Sequence, residues 1–154
     1  MKHLSNKCEK FAADATLCAY HSPCQMRHGC VAVVGGKVVA RGFNHYRCCS
    51  NDGIIGENSC TCHAECDVLR RLNKMNYLNS GKKITFYIMR IGEGGDLRNS
   101  APCGECYLKM LEYGIKTIIY SNDDGSFEKI LLKDYVPKVV TTGQRWVRRQ
   151  INNV

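Results

Sequence analysis

Two short motifs constrain this chain more than anything else in its 154 residues: Cys62-His63-Ala64-Glu65-Cys66 and Ala101-Pro102-Cys103-Gly104-Glu105-Cys106, whose first cysteine comes 40 residues after the histidine. Cys103 and Cys106 are three apart, so on the first turn of a helix both sulfurs turn toward one ion. A catalytic zinc takes three protein ligands and keeps a position open for water, whereas a structural zinc is closed by four. His63, Cys103 and Cys106 make three. Glu65 lies two residues beyond the histidine, close enough to handle protons at that water without binding the metal. Whatever fold the chain adopts must bring these two motifs together.

The hydrophobic periodicity predicts how. Apolar or small residues recur at helical spacing over 4–20, and β-branched runs over 29–34 and 37–43 flank Gly35-Gly36, which reads as a hairpin turn. A polar loop over 44–61 precedes a second helix over 62–76, with Ala64, Val68, Leu69, Leu72 and Met75 on one face. A buried strand over 84–90 leads into a glycine-rich loop. A third helix follows over 102–113, with Pro102 near its first position and Gly114 as its stop. The next strand covers 115–120, Asp123-Asp124-Gly125 marks a turn, and 127–136 reads as a short helix or an irregular segment.

From residue 37 onward the order strand, helix, strand, helix, strand implies a parallel core with right-handed crossovers. Each helix then begins at the rim where the preceding strand ends, so the second and third helices start side by side. That would set His63 and Glu65 beside Cys103 and Cys106, with the loops over 44–61 and 91–101 as walls of a pocket.

Length and 44% hydrophobic content suit one core, so 1–154 is expected to be a single domain. No uncharged apolar run reaches membrane-spanning length and residues 1–6 lack the apolar stretch of a secretory signal, which predicts a soluble, cytoplasmic protein without a membrane partner. Eleven cysteines, an odd number, then read as metal ligands or buried thiols. A formal charge of +8 suits an anionic substrate or nucleic acid, and equally serves solubility alone.

Residues 28–121 resemble the zinc-dependent cytidine and deoxycytidylate deaminase superfamily, whose signature joins His-x-Glu to Pro-Cys-x-x-Cys. Beyond the metal motifs, Gly29-Cys30-Val31-Ala32-Val33-Val34 and the run from Gly36 to Asn44 are similar to that family's first hairpin, which ends in an asparagine. The resemblance implies an α/β fold of three α/β/α layers around a mixed, roughly five-stranded sheet, with Zn2+ as cofactor and assembly as a homo-oligomer. It also implies that Asn44 contacts a sugar, that the backbone at Ala64 meets the base edge, and that the carbonyl of Ala101 receives the amino group.

The implied reaction is hydrolytic deamination of a cytosine nucleotide or nucleoside, releasing ammonia. Zinc held by His63, Cys103 and Cys106 would bring bound water to a pKa of roughly 7, and Glu65 would carry its proton to the ring nitrogen and then to the departing amine. The net charge and the Cys- and His-containing insertion over 45–61 favour deoxycytidylate. The long stretch between His63 and Cys103 would add Arg98 to the pocket rim, and the residues after Glu65 depart from the small apolar run of the nucleotide enzymes. Guanine or RNA adenosine deamination is therefore the alternative within the fold. The alternative of another class is a non-catalytic zinc protein that binds RNA through Arg145, Trp146, Arg148 and Arg149, a tail that otherwise reads as a solvated face with one buried tryptophan.

Two rival metal arrangements stand beside this one. A closed knot of Cys60, Cys62, Cys103 and Cys106 would leave His63, Glu65 and Pro102 unexplained. A second, structural zinc drawn from Cys24, Cys48, Cys49 and Cys60 competes with free thiols, since adjacent Cys48 and Cys49 are awkward ligands for one ion. Cys8, Cys18 and Cys30 fit apolar faces and are expected in the core.

Overall fold

The computed structural model describes residues 5–46, 52–54, 62–78 and 80–137. Cys48, Cys49, Cys60 and the basic tail lie outside them, and so do the readings that fall there.

Helix α1 (Asn6–Ala19) starts where the Ser5 side chain accepts the Cys8 N–H, and it buries Ala12, Ala15, Cys18 and Ala19. Small residues on this face let α1 lie almost on the backbone of strand β1 (Arg27–Val34). Gly29 is the point of closest approach: a Cβ there would stand 2.0 Å from the Ala15 carbonyl oxygen and 2.5 Å from the Ala19 nitrogen. Strand β2 (Lys37–Phe43) returns through Gly35 and Gly36, at φ +59° and +76°, the positive angles that a two-residue hairpin turn demands.

After helix α2 (Ala64–Lys74) come strand β3 (Thr85–Ile91), the two-residue strand β4 (Leu97–Arg98), helix α3 (Gly104–Glu112), and strands β5 (Thr117–Ser121) and β6 (Phe127–Leu131). The sheet order is β2-β1-β3-β5-β6, with β4 paired to β3. β1 is antiparallel to both β2 and β3, while β3 and β5 are parallel. β2, β3 and β5 therefore share one direction, as the alternation of elements predicts, with β1 inserted antiparallel between the first two. One face carries Val31, Val33, Tyr87, Met89 and Ile119 beneath α1, and the other carries Cys30, Ala32, Phe86, Ile88 and Ile118 beneath α2 and α3. The layers are α/β/α around a mixed sheet. Among the described residues no helix is long and apolar enough to cross a membrane.

Two segments differ from the sequence reading. Residues 127–131 form β6, antiparallel to β5, followed by a 3-10 turn at Leu132–Asp134, where a short helix or irregular segment is expected. The cause is local: the Asn122 N–H bonds the Ser126 carbonyl and Gly125 sits at φ +82°, so Asp123-Asp124-Gly125 closes a hairpin that hands the next residues to the sheet edge. The glycine-rich stretch after β3 is likewise a turn more than a loop. Gly92 N–H bonds the Asp96 carbonyl, and the chain doubles back to pair Leu97 and Arg98 with Ile91 and Arg90.

Candidate metal centre

His63 and Cys103 are the N-caps of α2 and α3, and Glu65 and Cys106 follow on their first turns. Because β2 and β3 run the same way, both helices start at the same rim of the sheet, and the two motifs converge there. His63 Nδ1 lies 3.1 Å from Cys106 Sγ and 3.5 Å from Cys103 Sγ. The three donor atoms lie within 4.8 Å of one another. Donors bound to one tetrahedral zinc at about 2.0 and 2.3 Å would be about 3.5 Å apart, so these separations fit a shared ion.

The electrostatics of the donor set point the same way. Hydrogen bonds from Cys106 and His63 outweigh the burial of Cys103 and hold its thiol down to about 3. Burial works against a charged His63 ring, but the Cys103 partner raises it to about 9. Cys106, sharing protons with Cys103 and Cys66 in a buried setting, is pushed up. Both helix starts add partial positive charge at the thiols. Negative sulfur is thus favoured at Cys103, the form in which a cysteine binds zinc.

Glu65 is 4% exposed and interacts with Cys106, and burial raises its carboxyl above the ordinary range. It is thus beside the three donors without belonging to the ligand group. The Cys66 sulfur is also close, 3.9 Å from that of Cys106. It falls outside the group whose atoms all lie within 4.8 Å, whereas a fourth tetrahedral ligand would lie within about 4 Å of every other. Cys66 packs in the core instead.

Cys62 does not join this centre either. Its Sγ donates to the His63 carbonyl at 3.4 Å, and it groups with His45 and Asp67, which argues against the closed four-cysteine knot. Cys24 belongs to neither donor group. Asp67 is engaged by Arg70 at 2.9 Å, Arg71 at 3.6 Å, His45 at 3.2 Å and the Phe43 N–H at 3.2 Å. With two guanidinium partners, that carboxylate is committed to fastening α2 to the end of β2. Cys18 and Cys30 are buried as expected, and Cys8 accepts a hydrogen bond from the Tyr87 hydroxyl at 3.2 Å.

The residues implied for substrate contact sit around the same rim. Asn44 follows β2; its Oδ1 accepts the His28 N–H at 2.8 Å and its Nδ2 donates to the Met26 carbonyl at 2.6 Å. Ala64 is the first residue of α2, fully buried, and Ala101 is half-buried with its N–H bonded to Asn99 Oδ1 at 3.1 Å. Arg98 lies on β4 beside the end of β3 and is paired with Asp96 at 2.9 Å.

Four residues that the motif reading passed over also shape this region. Tyr135 donates its hydroxyl to the Pro102 carbonyl at 2.5 Å and packs at a tilt against Tyr107 and edge-on against Tyr120. Asp67 is one; its i+3 and i+4 arginines were readable as an ion-pair pattern. His28 and Arg90 are register partners across β1 and β3, placed by the alternation of each strand on the face of Cys30 and Ile88. Burial, then Arg90 and His63, lower the His28 imidazole to about 4, so it is neutral at pH 7.

Comparison with known proteins agrees with this geometry. Residues 2–122 match the family described as the cytidine and deoxycytidylate deaminase zinc-binding region. Deoxycytidylate deaminase of Saccharomyces cerevisiae is 32% identical over 137 residues, covering 77% of this chain and 39% of that protein. Its counterpart in Schizosaccharomyces pombe is 30% identical over 145 residues, covering 82% and 43%. The chain thus spans about two fifths of the length of these relatives. Among solved structures, cytidine deaminase from Burkholderia pseudomallei superposes with a TM-score of 0.63 at 18% identity, over 91% of this chain and all of that one. The dCMP deaminase of cyanophage S-TIM5, solved with dCMP and dUMP, gives 0.53 at 20% identity over 79% and 85%. At such identities these likenesses establish the fold, and the sequence match supplies the family. The chain belongs to the cytidine and deoxycytidylate deaminase zinc-binding family, with His63, Cys103 and Cys106 as the donor set that fits its zinc.

Proposed function

We propose that this protein is a zinc-dependent hydrolase that deaminates a cytosine nucleotide or nucleoside, with deoxycytidylate as the favoured substrate. The observation that carries this reading is a buried, unligated carboxylate, Glu65, beside a three-donor set, His63, Cys103 and Cys106. Zinc bound there supplies a Lewis-acidic fourth position at which water has a pKa of roughly 7.

Glu65 accepts one proton of the attacking water and delivers it to the ring nitrogen, then carries the second, from the new hydroxyl on the amino-bearing carbon, to the leaving amine as that hydroxyl becomes the carbonyl. Burial suits the group to this task, because it raises the affinity of the carboxylate for a proton above the ordinary range. Water and the cytosine amine become the uracil carbonyl and ammonia. Asn44 keeps one N–H and one lone pair beyond its two backbone bonds, enough to hold a sugar hydroxyl. The backbone of Ala64 and the carbonyl of Ala101 orient the base. Deoxycytidylate is favoured by the charge of +8 and by the deoxycytidylate deaminases among the relatives. The reading includes a cytoplasmic setting and self-association, the latter checked by light scattering.

The test is ammonia release from cytidine, cytidylate, deoxycytidine, deoxycytidylate, guanine and adenosine, with Glu65→Gln alongside. Loss of about a hundredfold or more in Glu65→Gln with zinc retained is the expected result. Undiminished activity in that variant would remove Glu65 from the mechanism, and release from a purine alone would move the substrate class.

A further inference from the structure

Resting on the reading of this rim as a cytosine-nucleotide pocket, we propose that Arg90 recognises the phosphate of the substrate and sets the preference for nucleotide over nucleoside. Arg90 is the register partner of His28 on β1 and of Arg98 on β4. Antiparallel partners point to one face, so the three side chains form a row across the sheet. That face is the one on which Phe86, Ile88 and Cys30 pack with Cys103 and Cys106. The row therefore lies on the side of the sheet where α2 and α3 begin, and the charge of Arg90 and those of His63 and Cys103 all reach His28.

Among the described residues Arg90 has no carboxylate partner, and unlike Arg27, which also lacks one but lies over the Tyr20 ring, it stands on the face where the two motifs meet. Arg41 has Asp14, Arg70 and Arg71 have Asp67, and Arg98 has Asp96. Arg90 Nη1 reaches only the Asn99 carbonyl, at 3.5 Å, and its Nε is buried without an acceptor. A guanidinium offers five donors, and leaving one dry and unpaired is costly. A phosphate accepts N–H bonds from the Nη1 and Nη2 end of such a guanidinium, which neutralises the charge.

The mounting also suits recognition. Arg90 stands on β3, a strand paired on both sides, and its N–H bonds Ser121 Oγ at 3.3 Å. Asn99 ties it to the reaction end of the pocket, taking Arg90 at its carbonyl and the Ala101 N–H at its side chain. Arg98, singled out by its loop in the sequence, is half exposed and already paired, so it is the weaker candidate.

The experiment compares wild type, Arg90→Gln and Arg90→Lys as zinc-loaded full chains. Kinetics with deoxycytidylate and deoxycytidine are paired with calorimetric binding of deoxyuridylate and deoxyuridine. Arg90→Gln should raise KM for deoxycytidylate about 30-fold while kcat and the deoxycytidine reaction change less than about threefold, and Arg90→Lys should recover part of the loss. Equal losses on both substrates, or none, overturn the proposal. So does wild-type protein that binds deoxyuridine as tightly as deoxyuridylate, a comparison that stands even where Arg90→Gln fails to fold. Absence of ammonia from either substrate would sink the deaminase reading alone, because the binding comparison still decides the role of Arg90.

Discussion

His63 and Cys103 cap two different helices, yet the imidazole Nδ1 of one lies 3.5 Å from the sulfur of the other. Two helix starts whose side chains face each other are held by what they jointly bind, so metal content and stability should move together.

Replacing Cys106 with Ser should lower zinc from about one ion per chain to a small fraction of that, read by atomic emission. His45→Ala should leave the content unchanged, since Asp67 in that second donor group is taken by arginines. Stripping zinc from the wild type with a chelator should lower the melting temperature by on the order of 10 °C, because an ion that binds only the folded chain stabilises by mass action. An unchanged melting temperature would mean that the ion does not link the two motifs.

Asp67→Asn should destabilise the fold by about 3 kcal/mol in urea titrations, because it leaves Arg70, 11% exposed, without its charge partner. Burial raises the carboxyl of Asp67, but hydrogen bonds from Arg70 and His45, the charge of Arg71 and the Phe43 N–H together hold it below the ordinary carboxylate range. A depressed folded value means that the stabilisation is present above the unfolded pKa of about 3.9 and lost as pH falls through the folded one. The gap between wild type and Asp67→Asn should therefore close at pH values below about 4, and a gap that persists there would count against the ion pairs as its cause.

Gly29→Ala tests how α1 seats on the sheet. The added methyl would meet backbone atoms of α1 at 2.0 and 2.5 Å, and backbone cannot rotate away as a side chain can. Displacing the helix should cost about 3 kcal/mol. Zinc content should hold, because α1 covers the face opposite to α2 and α3. Loss of zinc in this variant would show that the two faces are coupled.

The metal motifs were legible because their spacing carries chemistry that few other arrangements need, and the alternation of strands and helices placed His63 and Cys103 at one rim before any coordinates. What escaped the sequence was set by partners far away along the chain. Phe127 to Leu131 is polar enough to read as irregular, and only the edge of β5 makes it a strand. The antiparallel placement of β1 between β2 and β3 leaves no local trace, since hairpins look alike wherever they insert. His28 and Arg90 carry no motif at all; they meet only because Gly29 pairs with Met89 in the register of that inserted strand.

Tyr135 belongs to the same class of residue, thirty-two positions after Cys103 and yet bonded beside it. Its hydroxyl donates to the Pro102 carbonyl at 2.5 Å, and proline itself has no N–H to fix this turn. Tyr135→Phe keeps the ring contacts with Tyr107 and Tyr120 and removes one hydrogen atom donor. The buried carbonyl is then unpaired, which should cost about 1 to 2 kcal/mol in stability. The backbone that presents Cys103 loosens with it, so zinc affinity measured by chelator competition should weaken by about tenfold, the usual consequence of losing a bond that orients a ligand. A variant that loses stability but keeps full zinc affinity would restrict Tyr135 to packing and leave Cys103 to be positioned by α3 alone.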